Sequence, residues 1–204
     1  MFFIKPDVEL PIEMEGKIQF VDPQTAALMR GDIFLTGVIT EDYAQSIVHQ
    51  LNFLNRSPRV KDIHMWIDNH GGYVSSAFMI LNTMELISKP VITINMGIAY
   101  SAAAVILAHG KIGSRYVYTN SQTLIHVSHV GHIEGKEHEV AEELREMKLN
   151  NELLYERLSK RTGVSMQVLK AIMREDRYLS AKEAIKLGLA DKIMTKKDYK
   201  ILLP

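Results

Sequence analysis

The chain has 204 residues, with 24 Lys plus Arg balanced by 24 Asp plus Glu, 47% hydrophobic residues and no cysteine. That length and composition suit one domain with a sizeable core. The neutral charge balance excludes the basic excess of a nucleic-acid binder, and the lack of cysteine excludes disulfides and thiolate chemistry. No apolar run is long enough to span a bilayer, and the opening "MFFIKPDVELP" lacks the basic-then-apolar design of a secretion signal. The expectation is a cytoplasmic protein that partners neither nucleic acid nor membrane.

Residues 1–31, with prolines at 6, 11 and 23, read as an irregular arm. A rhythm of strands and helices then fills a domain over 32–194, leaving a tail at 195–204. "DIFLTG" (32–37) is a strand, and Thr40 is a helix N-cap with Glu41 and Asp42 favouring the dipole in the first turn. Ile47, Leu51 and Leu54 mark one helical face. "DIHMWID" (62–68) is a strand ending at "NHGG", followed by a helical stripe of Val74, Ala77, Phe78, Leu81 and Met84 that stops near Lys89-Pro90. "VITINMG" (91–97) is a strand and 101–109 a short helix of small residues. "RYVYT" and "TLIHV" are strands about a turn at Asn120-Ser121. A charged helix over 136–160 follows, then helices over 165–174 and in "SAKEAIKLG" (180–188), the last capped by serine and ended by glycine. Alternating strands and helices predict an α/β domain with a largely parallel sheet, whose function sits where strands end.

Three strand ends carry chemistry. Ser101 falls where a strand pattern becomes a helix pattern, so it is either an N-cap or a nucleophile facing the positive end of the helix; taken alone, the cap is the commoner case. The paired glycines of "NHGG" let a backbone turn sharply and aim N–H groups at a ligand, though a plain tight turn is commoner. His126 ends the strand "TLIHVS" and is the imidazole a serine nucleophile needs. Among the eight histidines, His49, His64, His109 and His138 lie inside strand or helix patterns. His126, His129 and His132 are spaced by three and would not converge in an extended segment, so no metal is expected. Asp176, between arginines in "REDRYLSAKEA", is either an exposed ion pair or the carboxylate that orients the histidine.

Five segments together resemble the proteolytic subunit of the Clp protease (the ClpP family). They are "IFLTG" (33–37), "WIDNHGG" (66–72), "MGIAYSAA" (96–103), "LIHVS" (124–128) and "EDRYLSAKEAIKLGLADKI" (175–193), in the family's order. The resemblance implies a crotonase-like spiral of ββα units with a protruding handle helix over 136–160. It implies a serine endopeptidase without a cofactor, with Ser101 as nucleophile, His126 as base and then acid, and Asp176 as orienting carboxylate. The N–H groups of Gly72 and Ala102 would form the oxyanion hole, alanine standing where the family usually has methionine. It further implies stacked heptameric rings of identical subunits enclosing the sites, unfolded polypeptides as substrates, and an AAA+ unfoldase as partner. An acyl-CoA hydratase or isomerase of the same fold, a non-catalytic ring subunit and a specialised processing enzyme are the competing readings. Ser101 and His126 argue against the hydratase, and the three occupied triad positions against the inert subunit.

Overall fold

The computed structural model describes residues 8–14, 16–128 and 134–202. Residues 10–30, read from the sequence as an irregular arm, instead form a hairpin of β1 (Leu10–Met14) and β2 (Lys17–Val21) followed by helix α1 (Pro23–Arg30). The helix signals are all present in "DPQTAALMRG". Asp22 caps the N-terminus by accepting from Gln24 N–H (2.9 Å) and Thr25 N–H (3.1 Å), Pro23 needs no amide partner at the first position, and Gly31 closes the end at φ 99°. Of the prolines that suggested irregularity, Pro11 holds a strand position and Pro23 a helix start, while Pro6 lies outside the described residues.

From β3 (Asp32–Ile39) the expected alternation holds: α2 (Glu41–Arg56), β4 (Ile63–Gly72), α3 (Val74–Leu86), β5 (Val91–Tyr100) and α4 (Ala102–His109). Thr40 caps α2 as expected, accepting from Tyr43 N–H at 3.3 Å. Short strands β6 (Arg115–Val117) and β7 (Gln122–Ile125) precede the long helix α5 (Glu137–Thr162) and α6 (Met166–Ile172). The chain then runs through β8 (Arg177–Ser180), α7 (Ala181–Lys186), β9 (Lys192–Ile193) and α8 (Lys196–Leu202), the last lying in the expected tail.

One seven-stranded sheet runs β3-β4-β5-β6-β9 in parallel, and β7 joins β5 and the antiparallel β8. On its side away from β4, β5 serves two neighbours. Its first half pairs with β6 through Thr93–Asn95, and its last three residues pair with β7 through Ile98–Tyr100. The switch follows an irregularity where Ile67 pairs Asn95 but Asn69 pairs Ala99. Asp68 fastens it, its carboxylate accepting from Ile98 N–H at 3.0 Å against Gly97, where a Cβ would lie 2.5 Å from Asp68 Oδ1.

Period-two alternation sends Ile63, Met65, Ile67 and Asn69 to the main core, which α2, α3 and α4 cover. α4 is buried along its whole length, which explains why its sequence is apolar all round. The opposite face holds Trp66, Ile92, Ile94 and Tyr116, closed by Leu202 of α8, with Tyr199 edge-on to Trp66 at 6.2 Å. In α5 the stripe of Val140, Leu144, Met147 and Asn151 is half-buried. Only Leu154, Tyr155 and Leu158 are fully buried, so the helix is anchored by its C-terminal half, as expected of a handle. The mixed α/β architecture and mainly parallel sheet accord with the crotonase-like fold. No described helix is long and apolar enough to cross a membrane.

Candidate active site

Ser101 is the single residue between β5 and α4. Its φ of 55° and ψ of −122° make it the one non-glycine residue with positive φ among the described residues. Such a conformation costs on the order of 1–3 kcal/mol and persists only where the surroundings over-determine it. Here Ser101 N–H donates to Leu124 O at 2.8 Å, while its carbonyl accepts from Ala104 N–H (3.0 Å) and Val105 N–H (3.4 Å). Ser101 occupies the N-cap position, yet its hydroxyl makes no capping bond. The commoner of the two sequence readings, a capping serine, is therefore not what the structure contains.

Strand register brings the other candidates alongside. Parallel pairing sets Tyr100 opposite Leu124, so Ser101 and His126 leave adjacent strands within two residues of that pair. Antiparallel pairing sets Ile125 opposite Arg177, and one step further His126 meets Asp176, with Nδ1 and Oδ1 3.7 Å apart. The His126 side chain is 12% exposed and that of Asp176 47%, so the imidazole is sheltered and the carboxylate stands at the rim. Beyond His126 the backbone is pinned. Val127 N–H donates to Met173 O at 3.0 Å, and Asn151 Oδ1 accepts from both the N–H (3.2 Å) and the hydroxyl (2.7 Å) of Ser128. Asn151 lies in the charged helix read from the sequence, but this anchoring role is visible only in three dimensions.

The diglycine closes the site from β4. Gly71 has φ 90°, and a Cβ there would meet Tyr100 O at 2.7 Å, Ser101 Cβ at 2.8 Å and Ala102 N at 3.2 Å. Gly72, at φ 154°, would drive a Cβ into the backbone of Ile39, 2.3 Å from its carbonyl oxygen. Only glycine fits either position, one because it lies on Ser101 and the other because it lies on β3. Ile39 pairs Gly72, and its carbonyl accepts from Tyr73 N–H at 3.0 Å. In a parallel ladder bonded in this way, the paired residue's own N–H turns away from the partner strand. Gly72 N–H therefore turns from β3 towards the side where β5 ends. Ala102 N–H opens α4 and, as a first-turn amide, has no partner within its own helix.

Aromatic rings lie beside these residues. Tyr100 packs edge-on against Tyr178 at 5.8 Å and His70 at 5.9 Å, and its hydroxyl donates to Gln122 Oε1. Burial, then the neighbouring Tyr178, hold the Tyr100 phenol above its usual range. An open cavity of about 550 Å³ borders Asp176, lined in part by Ile172, Glu175, Leu179 and Lys186.

Two of the histidines set aside from the sequence, His64 and His109, have other partners. His64 Nδ1 lies 3.1 Å from Asp32 Oδ1, which also accepts from Trp66 Nε1–H at 2.9 Å. His109 is buried in α4 with Nδ1 3.1 Å from Val105 O, and burial lowers its pKa to about 4. His129 and His132 lie outside the described residues; among those described, no cluster of His, Asp or Glu is arranged to hold a metal ion.

An uncapped, strained serine at a helix N-terminus, a histidine–carboxylate pair on the next two strands and a diglycine packed on the serine form one constellation. The family model described as Clp protease matches residues 15–197. The match takes in every element from β2 to β9, including the hairpin strand and helix α1 that the sequence reading placed in the arm. The chain belongs to the Clp protease family.

Proposed function

We propose that this family member is a ClpP-like serine endopeptidase working through Ser101, His126 and Asp176. Ser101 Oγ attacks the scissile carbonyl while His126 takes its proton. Asp176 holds Nδ1–H and stabilises the imidazolium. The carbonyl oxygen, now an anion, is received by the N–H groups of Gly72 and Ala102. His126 then protonates the leaving amine, and water, activated by the same imidazole, hydrolyses the acyl-enzyme. The 3.7 Å spacing of His126 and Asp176 is of the loose kind that tightens once substrate is bound.

The observation that carries the proposal is Ser101 itself. A serine kept at positive φ beside a glycine that no larger residue could replace, without capping its helix, has a conformation that caps nothing but presents a hydroxyl. Unfolded polypeptides are the substrates this reading favours, inside a chamber of identical subunits and supplied by an AAA+ unfoldase in the cytoplasm.

The test is hydrolysis of short fluorogenic peptides by the purified protein without nucleotide, beside Ser101→Ala. Sedimentation of both samples gives the assembly state. Turnover by the parent alone, in a large closed oligomer, is the expected result. Equal turnover by the two proteins would remove the serine mechanism.

A further inference from the structure

Asn69 is a polar residue with no exposed surface, on the core side of β4 between Gly37 of β3 and Ala99 of β5. Its Oδ1 accepts from Gly71 N–H at 2.7 Å, a side chain closing onto the backbone two residues ahead. The amide orientation follows from this bond, because only the oxygen can receive an N–H. The Nδ2 group has no hydrogen-bond partner among the described residues. A buried donor left in that state costs about 1–3 kcal/mol. A leucine of similar shape would avoid the cost, so the carboxamide's contribution here is its acceptor towards Gly71.

The peptides on either side of the one that carries Gly72 N–H are therefore both committed. Gly71 N–H is held by Asn69 from below, and Tyr73 N–H is held by Ile39 O from β3. Between two fixed peptides, the Gly72 N–H has its direction set. Without the Asn69 bond, the peptide that ends in Gly71 N–H loses this side-chain tether. Gly71 and Gly72 are also the two residues of this stretch with the widest conformational freedom. Oxyanion donors act through prior orientation, so a freely turning peptide loses much of its effect even when the N–H is present.

We propose that Asn69 is a positioning residue for the oxyanion site: its Oδ1, by fixing the Gly71 peptide, aims Gly72 N–H at the oxygen that becomes charged. This rests on the peptidase reading above. Asn69 touches no reacting atom, and its effect passes entirely through the diglycine.

Two substitutions separate the acceptor from the packing. Asn69→Leu keeps the volume and removes the acceptor, while Asn69→Ser keeps a shorter acceptor able to make the same kind of turn. The readouts are kcat and KM on a fluorogenic peptide, inhibition by a peptide boronate, and hydrogen exchange at Gly71. The boronate esterifies Ser101 and places a charged tetrahedral oxygen where the oxyanion forms. Asn69→Leu is expected to lower kcat by about 10- to 100-fold, somewhat less than deleting a donor outright, with KM within about threefold. Boronate affinity falls by the same factor and Gly71 exchange accelerates, while Asn69→Ser recovers most of each. If Asn69→Leu does not fold, Asn69→Ala takes its place.

Unchanged kcat in a folded acceptor-less variant overturns the proposal. So does a kcat loss without a matching loss of boronate affinity, or one that Asn69→Ser does not repair. A parent protein inert towards both peptide and boronate instead overturns the peptidase reading, and the proposal with it.

Discussion

Helix α4 is only eight residues long, yet its two ends are treated in opposite ways. At the C-terminal end, the carbonyls of Ala108, His109 and Gly110 are met by two guanidinium groups. Arg161 donates to all three, at 3.1 Å from Nε to Ala108 O and 3.1 Å from Nη2 to His109 O, and also to Gly110 O. Arg115 adds a bond to Ala108 O at 3.2 Å, and its fork holds Asp191 at 2.7 and 3.0 Å. This is cation placement at the negative end of a helix dipole, with the buried charge paired and its donors used. At the N-terminal end the serine caps nothing, its backbone is strained, and His126 and Asp176 beyond it stand 3.7 Å apart. The same helix is stabilised at one end and, at the other, begins with a serine whose hydroxyl is not spent on capping, the feature on which the proposed chemistry rests. A satisfied polar network holds a fold, whereas a reactive one needs a group that the fold has not already used.

The largest effect that would sharpen this contrast is at Ser101. Ser101→Ala should lower peptide turnover by roughly 10⁴–10⁶-fold with little change in melting temperature, because no capping bond is lost. Ser101→Gly should be equally inactive yet more stable by about 1 kcal/mol, since glycine relieves the positive φ. Urea melts of the two variants check the sign, and a glycine variant less stable than the parent would break the contrast. Next comes Asp176→Asn, expected to cost about 10³–10⁴-fold in kcat by failing to hold the catalytic tautomer of His126, with unfolding unaffected.

Arg115→Leu tests the other end. It strands Asp191 without its fork and should cost about 3–5 kcal/mol in denaturant midpoint analysis, while the turnover per folded molecule stays near the parent's. The smallest effect belongs to His109, in the last turn of α4. Burial lowers its pKa from 6.5 to about 4, outweighing both its bond to Val105 and the Glu85 carboxylate 3.3 Å from Nε2. The unfolded chain then binds the proton more readily than the folded one. The stability this provides is complete above about pH 6.5 and is lost as the pH falls towards 4, by about 3 kcal/mol across that window. Melting curves over that range should show a slope that His109→Gln flattens.

Much of the site was legible because its parts sit at element boundaries, which local patterns mark. Ser101 at a strand-to-helix change, His126 at a strand end and Asp176 just before a capped helix could each be found one at a time. Their competing roles as cap, core histidine and surface ion pair could not be resolved locally, because a helix-capping serine and a nucleophile share the same neighbours in the chain. The hairpin and α1 are hidden for another reason: prolines at 11 and 23 read as breakers, although Asp22-Pro23 and Gly31 are also the start and stop of a capped helix.

The sequence by itself determined the order of elements from β3 to β7 and of the helices α5 to α7, their apolar faces, several helix caps and the residue types at the strand ends, since periodicity and capping act over a few neighbours. The tertiary structure alone decided that Gly71 lies on Ser101, that Asn69 reaches Gly71 from inside the core, that Asn151 anchors Ser128, and that α8 closes the second face of the sheet. These depend on register. β5 changes partners after the irregularity at Asp68, and that shift sets which side chains from β4, β7 and β8 arrive beside the serine. Pairing between distant segments is a property of the packed sheet, and no window of the chain contains it.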